Sequence, residues 1–182
     1  KNPRINSKGL NTSAVLGFCN TLMEVLIKEK PTHIAVVFDA PAVTNRELEY
    51  AAYKANRQEM PEDLRTAIPY VKKLITAFNI PMVMLEGYEA DDLIGTLAKQ
   101  AEKLGFITYM MTPDKDFGQL VTEKTFMFRP GRGGKPAEKW GIPEICERFE
   151  VDDPIKVIDI LGLWGDAVDN IPGIPGIGEK TS

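Results

Sequence analysis

The chain has 182 residues, of which 43% are hydrophobic and 26% charged, enough to bury one substantial core with a small appendage and too apolar for a disordered or fibrous protein. No apolar run approaches the ~20 residues that cross a bilayer as a helix. The polar opening from Lys1 to Lys8 lacks the apolar stretch of a secretory signal, so a cytoplasmic location is expected. The net charge of −4, from 22 basic and 26 acidic residues, argues weakly against a nucleic-acid ligand, whose phosphates favour basic surfaces.

Thr12 or Ser13 is placed to cap a first helix that runs to about Lys30. Val15, Leu16, Leu22, Val25 and Leu26 supply its apolar stripe, and Pro31 closes it. Ile34 to Phe38 is a continuous apolar, β-branched run of the kind expected for a strand buried on both faces; it ends at Asp39. Residues 46–78 read as helical with a break at Met60-Pro61, and the first part is polar on more than one face, with little to bury. Pro81 to Leu85 predicts a second strand, Glu89 to Leu104 a helix, and Phe106 to Met111 a third strand leading to Thr112-Pro113-Asp114. This alternation predicts an α/β fold: a mainly parallel sheet flanked by helices.

A strand follows at Thr125 to Phe128. The turn-rich Arg129 to Lys135 comes next and is read as a surface hairpin rather than a phosphate-binding loop, because it is not a Walker A sequence. No nucleoside triphosphate cofactor is expected. Helices are predicted near 143–149 and 154–163. The stretch Ile171 to Gly178 is dense in proline and glycine and leads into Glu179-Lys180-Thr181-Ser182. Cys19 and Cys146 have neither metal-ligand spacing nor a disulfide framework, which fits a reducing compartment and a core-filling role. The single histidine, His33, stands before a strand with no evident acid–base partner and is read as structural.

Each of the first three predicted strands runs into acid: Asp39, then Glu89-Ala90-Asp91-Asp92, then Asp114-Lys115-Asp116. In a parallel sheet such ends share one edge, the place where open α/β folds bind ligands. Asp166 would bring the acids there to seven and Asp169 to eight. Taken singly, Asp39 could be a strand-end cap, and Asp91 with Asp92 could answer a helix macrodipole for about 0.3–1 kcal/mol each. Together the acids favour a metal site, because crowded carboxylates repel and raise one another's pKa unless cations neutralise them. All-oxygen ligation points to Mg²⁺ or Mn²⁺ rather than Zn²⁺. Two such ions, about 3.5–4 Å apart, suit phosphodiester hydrolysis. Setting eight of the 26 acidic residues aside leaves 18 against 22 basic, so the surface outside the cluster can be basic.

Nearly the whole chain resembles the 5'-nuclease domains of bacterial DNA polymerase I and the related flap endonucleases. The resemblance is carried by Val37-Phe38-Asp39-Ala40, Tyr53-Lys54-Ala55-Asn56-Arg57, Met60-Pro61-Glu62-Asp63-Leu64, Glu89-Ala90-Asp91-Asp92-Leu93-Ile94-Gly95 and Asp114-Lys115-Asp116. Its most specific stretch runs from Gly165-Asp166-Ala167-Val168-Asp169-Asn170 through Ile171-Pro172-Gly173-Ile174-Pro175-Gly176-Ile177-Gly178. It implies a PIN-like α/β fold and two Mg²⁺ sites, with hydrolysis leaving a 5'-phosphate and a 3'-hydroxyl. Asp39, Glu89, Asp91 and Asp92 would serve one metal, and Asp114, Asp116, Asp166 and Asp169 the other.

The polar segment after residue 46 resembles the family's helical arch. There Lys54 and Arg57 would engage phosphates near the scissile bond, forming a catalytic set with Asp116. Arg46 would position the strand, and Tyr53 could stack on an unpaired base. Gly173, Gly176, Gly178 and Lys180 would belong to a truncated helix-hairpin-helix element holding duplex phosphates on backbone amides, with K⁺ assisting. This implies a catalytic domain over 1–140 and the start of a DNA-binding region over 141–182. Family members begin with a strand bearing an aspartate ligand, which lies upstream of Lys1, and they carry an aromatic residue where this chain has Asn45. The implied partner is DNA with a free 5' end or a 5' flap, the implied form a monomer, and a polymerase domain on the same polypeptide is compatible with it. A PIN-like RNase and a non-catalytic DNA-binding module are the competing readings.

Overall fold

The computed structural model describes residues 3–131 and 136–179, and the chain divides into two units, 1–38 with 58–84 and 39–57 with 85–182.

In the first unit the stripe ahead of Pro31 folds as α1 (Ser13–Glu24), which runs into a π-helical turn over Val25–Glu29. Lys30 ends it in the left-handed region at φ 47°, and Pro31 prevents continuation. The helix α3 (Glu62–Ala77) starts after Pro61 with Glu62 and Asp63 in its first turn, where carboxylates meet the positive end of the macrodipole. It buries Ala67, Val71 and Ile75, spaced four apart on one face. Val71 and Ile75 join Leu22 and Ile80 in a core flanked by Val15, Phe18, Leu26 and Leu74. The strands β1 (Val36–Val37) and β2 (Met82–Val83) pair in parallel, with Val36 opposite Met82. Both are shorter than the apolar runs that contain them.

In the second unit β3 (Thr108–Met111) pairs in parallel with β4 (Thr125–Arg129), placing Met110 opposite Met127. An antiparallel β5 (Glu138–Trp140) pairs on the other side of β4. The turn-rich stretch therefore links a hairpin, although its residues 132–135 lie outside the described ones. The helices α2 (Asn45–Glu49), α4 (Ala90–Lys103), α5 (Ile142–Phe149) and α6 (Val157–Trp164) belong to the same unit, with 3-10 turns over Lys115–Leu120 and Pro154–Lys156. Ala98, Met110, Phe117, Met127, Ile145 and Val157 share one core, and burying each large member contributes roughly 1.5–3 kcal/mol. That core takes in residues on both sides of position 140.

Two expectations are corrected. The described strands form a two-stranded and a three-stranded ladder rather than one sheet, because each strand finds its hydrogen-bonding partner inside its own unit. The predicted helix from residue 46 shrinks to α2 (Asn45–Glu49), followed by turns through Asn56. Segment 50–57 has Tyr53 as its buried residue, and the left-handed Lys54, at φ 57°, is incompatible with a continuing helix. Cys19 and Cys146 are free thiols and only partly buried.

Candidate functional site

The acids named from the sequence all fall in the second unit, since Asp39 is the first residue past the first unit's Phe38. Glu89 is the N-cap residue of α4, and its backbone N–H donates to Asp92 Oδ2 at 3.1 Å. Asp39 Oδ1 accepts from the N–H of Ala90 at 2.8 Å. The acids at both positions therefore satisfy helix-start donors that would otherwise lack partners. Glu89 is only 6% exposed.

Three cations from the residues before 58 close on these acids. A capping box sets α2, with Thr44 Oγ1 accepting from the N–H of Glu47 and the Glu47 carboxylate accepting from the N–H of Thr44 at 2.6 Å. The helix so fixed projects Arg46, whose two terminal nitrogens donate to the two oxygens of Asp92 at 2.6 Å each, a fork geometry that lysine cannot match. This pairing is the leading cause that holds the Asp92 carboxyl below its usual range. Lys54 Nζ donates to Glu89 Oε1. Arg57 Nε donates to Asp169 Oδ1 at 2.7 Å.

Tyr53 is 8% exposed. Its hydroxyl donates to Glu89 at 3.0 Å and reaches Asp169 at 3.4 Å, while the Lys54 ammonium lies 4.9 Å from its ring centroid. Burial first, then the bond to Glu89, pushes its phenol up. So placed, the ring is packed inside the site rather than presented to a base.

The remaining acids stand on turns. Asp114 opens the 3-10 turn and accepts from the N–H of Asp116 at 3.0 Å. Asp166 accepts from the N–H groups of Val168 at 2.8 Å and Asp169 at 3.3 Å. Partial burial, then Asp114 and Asp166, push the Asp116 carboxyl up to about 6. Burial, then Asp114, Asp39 and Glu89, raise that of Asp91. Asp91 thus lies within electrostatic reach of Asp39, Asp114 and Asp116, and Asp116 within reach of Asp114 and Asp166. Among the described residues, however, no group of three Asp, Glu, His or Cys side chains is placed to hold a metal ion. Glu89, Asp92 and Asp169 are engaged instead by Lys54, Arg46 and Arg57. The donor set is all oxygen and carries mutually repelling carboxylates, so its chemistry fits a hard divalent cation.

Gly173 has a packing reason that its sequence context does not disclose: an added Cβ would lie 2.1 Å from the carbonyl oxygen of Trp164. Gly176 adopts φ 86°, a conformation that suits glycine. Lys180 lies outside the described residues, and no second helix follows Gly178 among those described. Asn45, noted above as a departure from the family pattern, donates its backbone N–H to the Gly87 carbonyl at 2.9 Å. Tyr50 has no place in the motifs and Asn56 and Asn170 no role of their own in them, although all three tie residues 50–57 to the Asp166–Asn170 loop. An asparagine inside a run of turn-forming residues was the signal available.

Residues 1–155 match the family described as 5'-3' exonuclease, N-terminal resolvase-like domain. The chain is 45% identical over 177 residues to DNA polymerase I of Bacillus subtilis (strain 168), covering 97% of this chain and 20% of that protein. It is 42% identical over 180 residues to a 5'-3' exonuclease of Aquifex aeolicus (strain VF5), covering 99% of this chain and 61% of that protein. In fold it is similar to the T5 5'-exonuclease solved with divalent metal ions (zinc), with a TM-score of 0.74 at 23% identity over 90% of this chain and 62% of that one. A T5 flap endonuclease in a complex with DNA and metal ions gives a TM-score of 0.73 at 23% identity, covering 95% of this chain and 65% of that one.

Proposed function

Because the chain belongs to the family of 5'-3' exonuclease N-terminal resolvase-like domains, we propose that it is the catalytic part of a metal-dependent 5' nuclease acting on DNA with a free 5' end or a 5' flap. The observation that carries this reading is the opposition of three cations, Arg46, Lys54 and Arg57, to the carboxylates of Asp92, Glu89 and Asp169. On release from one another, the cations would be donors for a phosphate and the acids oxygen ligands for a metal.

In this reading Asp39, Glu89, Asp91 and Asp92 would hold one Mg²⁺ or Mn²⁺, and Asp114, Asp116, Asp166 and Asp169 would hold a second. Ions bound there would supply Lewis acidity and lower the pKa of a bound water. Lys54 and Arg57 leave their carboxylate partners to bind the phosphate flanking the scissile bond, orienting it and neutralising charge that develops on its oxygens. Arg46 does the same for the approaching strand. Burial beside Glu89 keeps the Tyr53 hydroxyl protonated, so it remains a donor to the acid it orients. The region from 141 onward begins a duplex-binding element in which the backbone amides near Gly176 and Gly178 meet phosphates, with K⁺ assisting. The chain spans 20% of the polymerase and 61% of the exonuclease relatives. A polymerase domain on the same polypeptide and a monomeric, cytoplasmic enzyme are part of this proposal. Among the described residues, no helix is long and apolar enough to cross a membrane.

The test is cleavage of a 5'-labelled flap DNA by the full-length protein with Mg²⁺ or EDTA, beside Asp116→Ala. Cutting at the flap junction that requires Mg²⁺ and is lost in the variant is the expected result. Intact DNA with binding retained would replace the proposal with a DNA-binding module, and preferential cutting of an RNA strand would replace it with an RNase.

A further inference from the structure

We infer that Asn170 is a positioning residue, whose carboxamide seats segment 50–57, and with it Lys54 and Arg57, against the loop carrying Asp166 and Asp169. The inference rests on the nuclease reading for what the seating achieves, and on contacts alone for the seating itself.

Segment 50–57 has no helical ladder of its own. Its internal bonds are single turns, such as Tyr53 N–H to the Tyr50 carbonyl at 2.9 Å and Arg57 N–H to the Lys54 carbonyl at 3.0 Å. Asn170 supplies what those turns lack. Its Nδ2 donates to the Ala52 carbonyl at 2.8 Å, and its Oδ1 accepts from Asn56 Nδ2 at 3.0 Å. Its own carbonyl accepts from the Tyr50 hydroxyl at 3.3 Å, and the neighbouring Asp169 carbonyl accepts from the N–H of Lys54 at 2.9 Å. One side chain thus holds the segment before and after Lys54, using a donor and an acceptor at once.

Backbone geometry narrows the residue type. Asn170 sits at φ 59° and Lys54 at φ 57°, left-handed conformations that asparagine tolerates better than most side chains and glycine best of all. Glycine at 170 would therefore keep the loop's backbone while deleting both carboxamide bonds. Aspartate would keep an acceptor for Asn56 but place a carboxylate oxygen against the Ala52 carbonyl. A residue needed only for loop conformation is replaceable by glycine; a residue that positions the segment is not.

The experiment compares Asn170→Gly, Asn170→Asp and Asn56→Ala in the full-length protein. It measures kcat and KM on a 5'-flap DNA with Mg²⁺, and backbone hydrogen exchange at residues 53–57 without substrate. Asn170→Gly is expected to lower kcat about tenfold or more with a smaller change in KM, since misplacement of a catalytic group acts mainly on the transition state. In a Lys54→Ala/Arg57→Ala background the same change should cost less than about twofold, because it acts through those two groups. Exchange at 53–57 should accelerate roughly fivefold or more in all three variants as local opening becomes easier.

Rate losses for Asn170→Gly and the Lys54→Ala/Arg57→Ala pair that multiply in the triple variant, or exchange left unchanged, would overturn the inference. Should the wild-type protein cut no DNA, the nuclease reading fails instead, and the exchange measurement decides the seating: acceleration upholds it and unchanged exchange ends it.

Discussion

Asp116 is a partly buried acid crowded by other carboxylates. Partial burial and the nearby Asp114 and Asp166 push its carboxyl up to about 6, against an ordinary value of about 3.9. The folded state therefore holds this proton more tightly than the unfolded chain. The group's contribution to stability is greatest below about pH 4 and is lost as pH rises through about 6, where the charged form meets burial and its acidic neighbours. Asp116→Asn should accordingly raise the Tm of the metal-free protein at pH 7.5 by about 2–4 °C, allowing for solvent screening of a half-exposed group. At pH 4 it should change Tm little. Thermal unfolding in EDTA at the two pH values checks this, and equal shifts at both would show that the carboxylate is not under strain. Glu89 presents the opposite case, a 6% exposed acid answered by Lys54 and Tyr53. Its environment could not be read from Glu89-Ala90-Asp91-Asp92, because both partners come from a different part of the chain.

At the level of elements, the turn at Gly165 and the start of the Gly/Pro-rich stretch are built on one close backbone approach. Gly165 has φ 68°, and an added Cβ would meet the backbone nitrogen of Gly173 at 2.3 Å; at Gly173 it would meet the Trp164 carbonyl oxygen at 2.1 Å. Backbone atoms cannot yield as a flexible side chain can, so Gly173→Ala should destabilise the protein by about 1–3 kcal/mol. Urea unfolding in the absence of DNA reads this directly. Unchanged stability with weakened duplex binding would instead return Gly173 to the purely phosphate-contacting role that the helix-hairpin-helix resemblance implies. The elements with a local cause were legible. The helix α4 follows from its apolar period and its acidic start, α3 from Pro61 and its four-residue spacing, and β4 from its apolar run. The segment after residue 49 was misread as helix because its composition permits one, whereas its fold is dictated by polar contacts to residues 169–170.

For the molecule, the two units carry separate cores, one around Ile75 and one around Met127. Met127 is fully enclosed, at 0% exposed, on the strand paired on both sides. Met127→Ala should cost about 2–5 kcal/mol through lost transfer energy and the cavity left behind. The denaturant midpoint should fall accordingly; a loss under about 1 kcal/mol would mean that the core collapses around the gap. The α/β class of the fold and the order of α1, β1, α3, β2, α4, β3 and β4 were legible in the sequence alone, which also singled out the eight acids as candidates. Apolar periodicity, helix starts and acids placed after strands are local properties, and the motifs that mark the family are contiguous. Tertiary structure alone decided which cation meets which acid: Arg46 reaches Asp92 across 46 residues and Arg57 reaches Asp169 across 112. It also decided that Tyr53 is enclosed and that Asn170 holds the basic segment. No local rule selects a partner over such separations; that choice follows from how the packed core brings distant turns together.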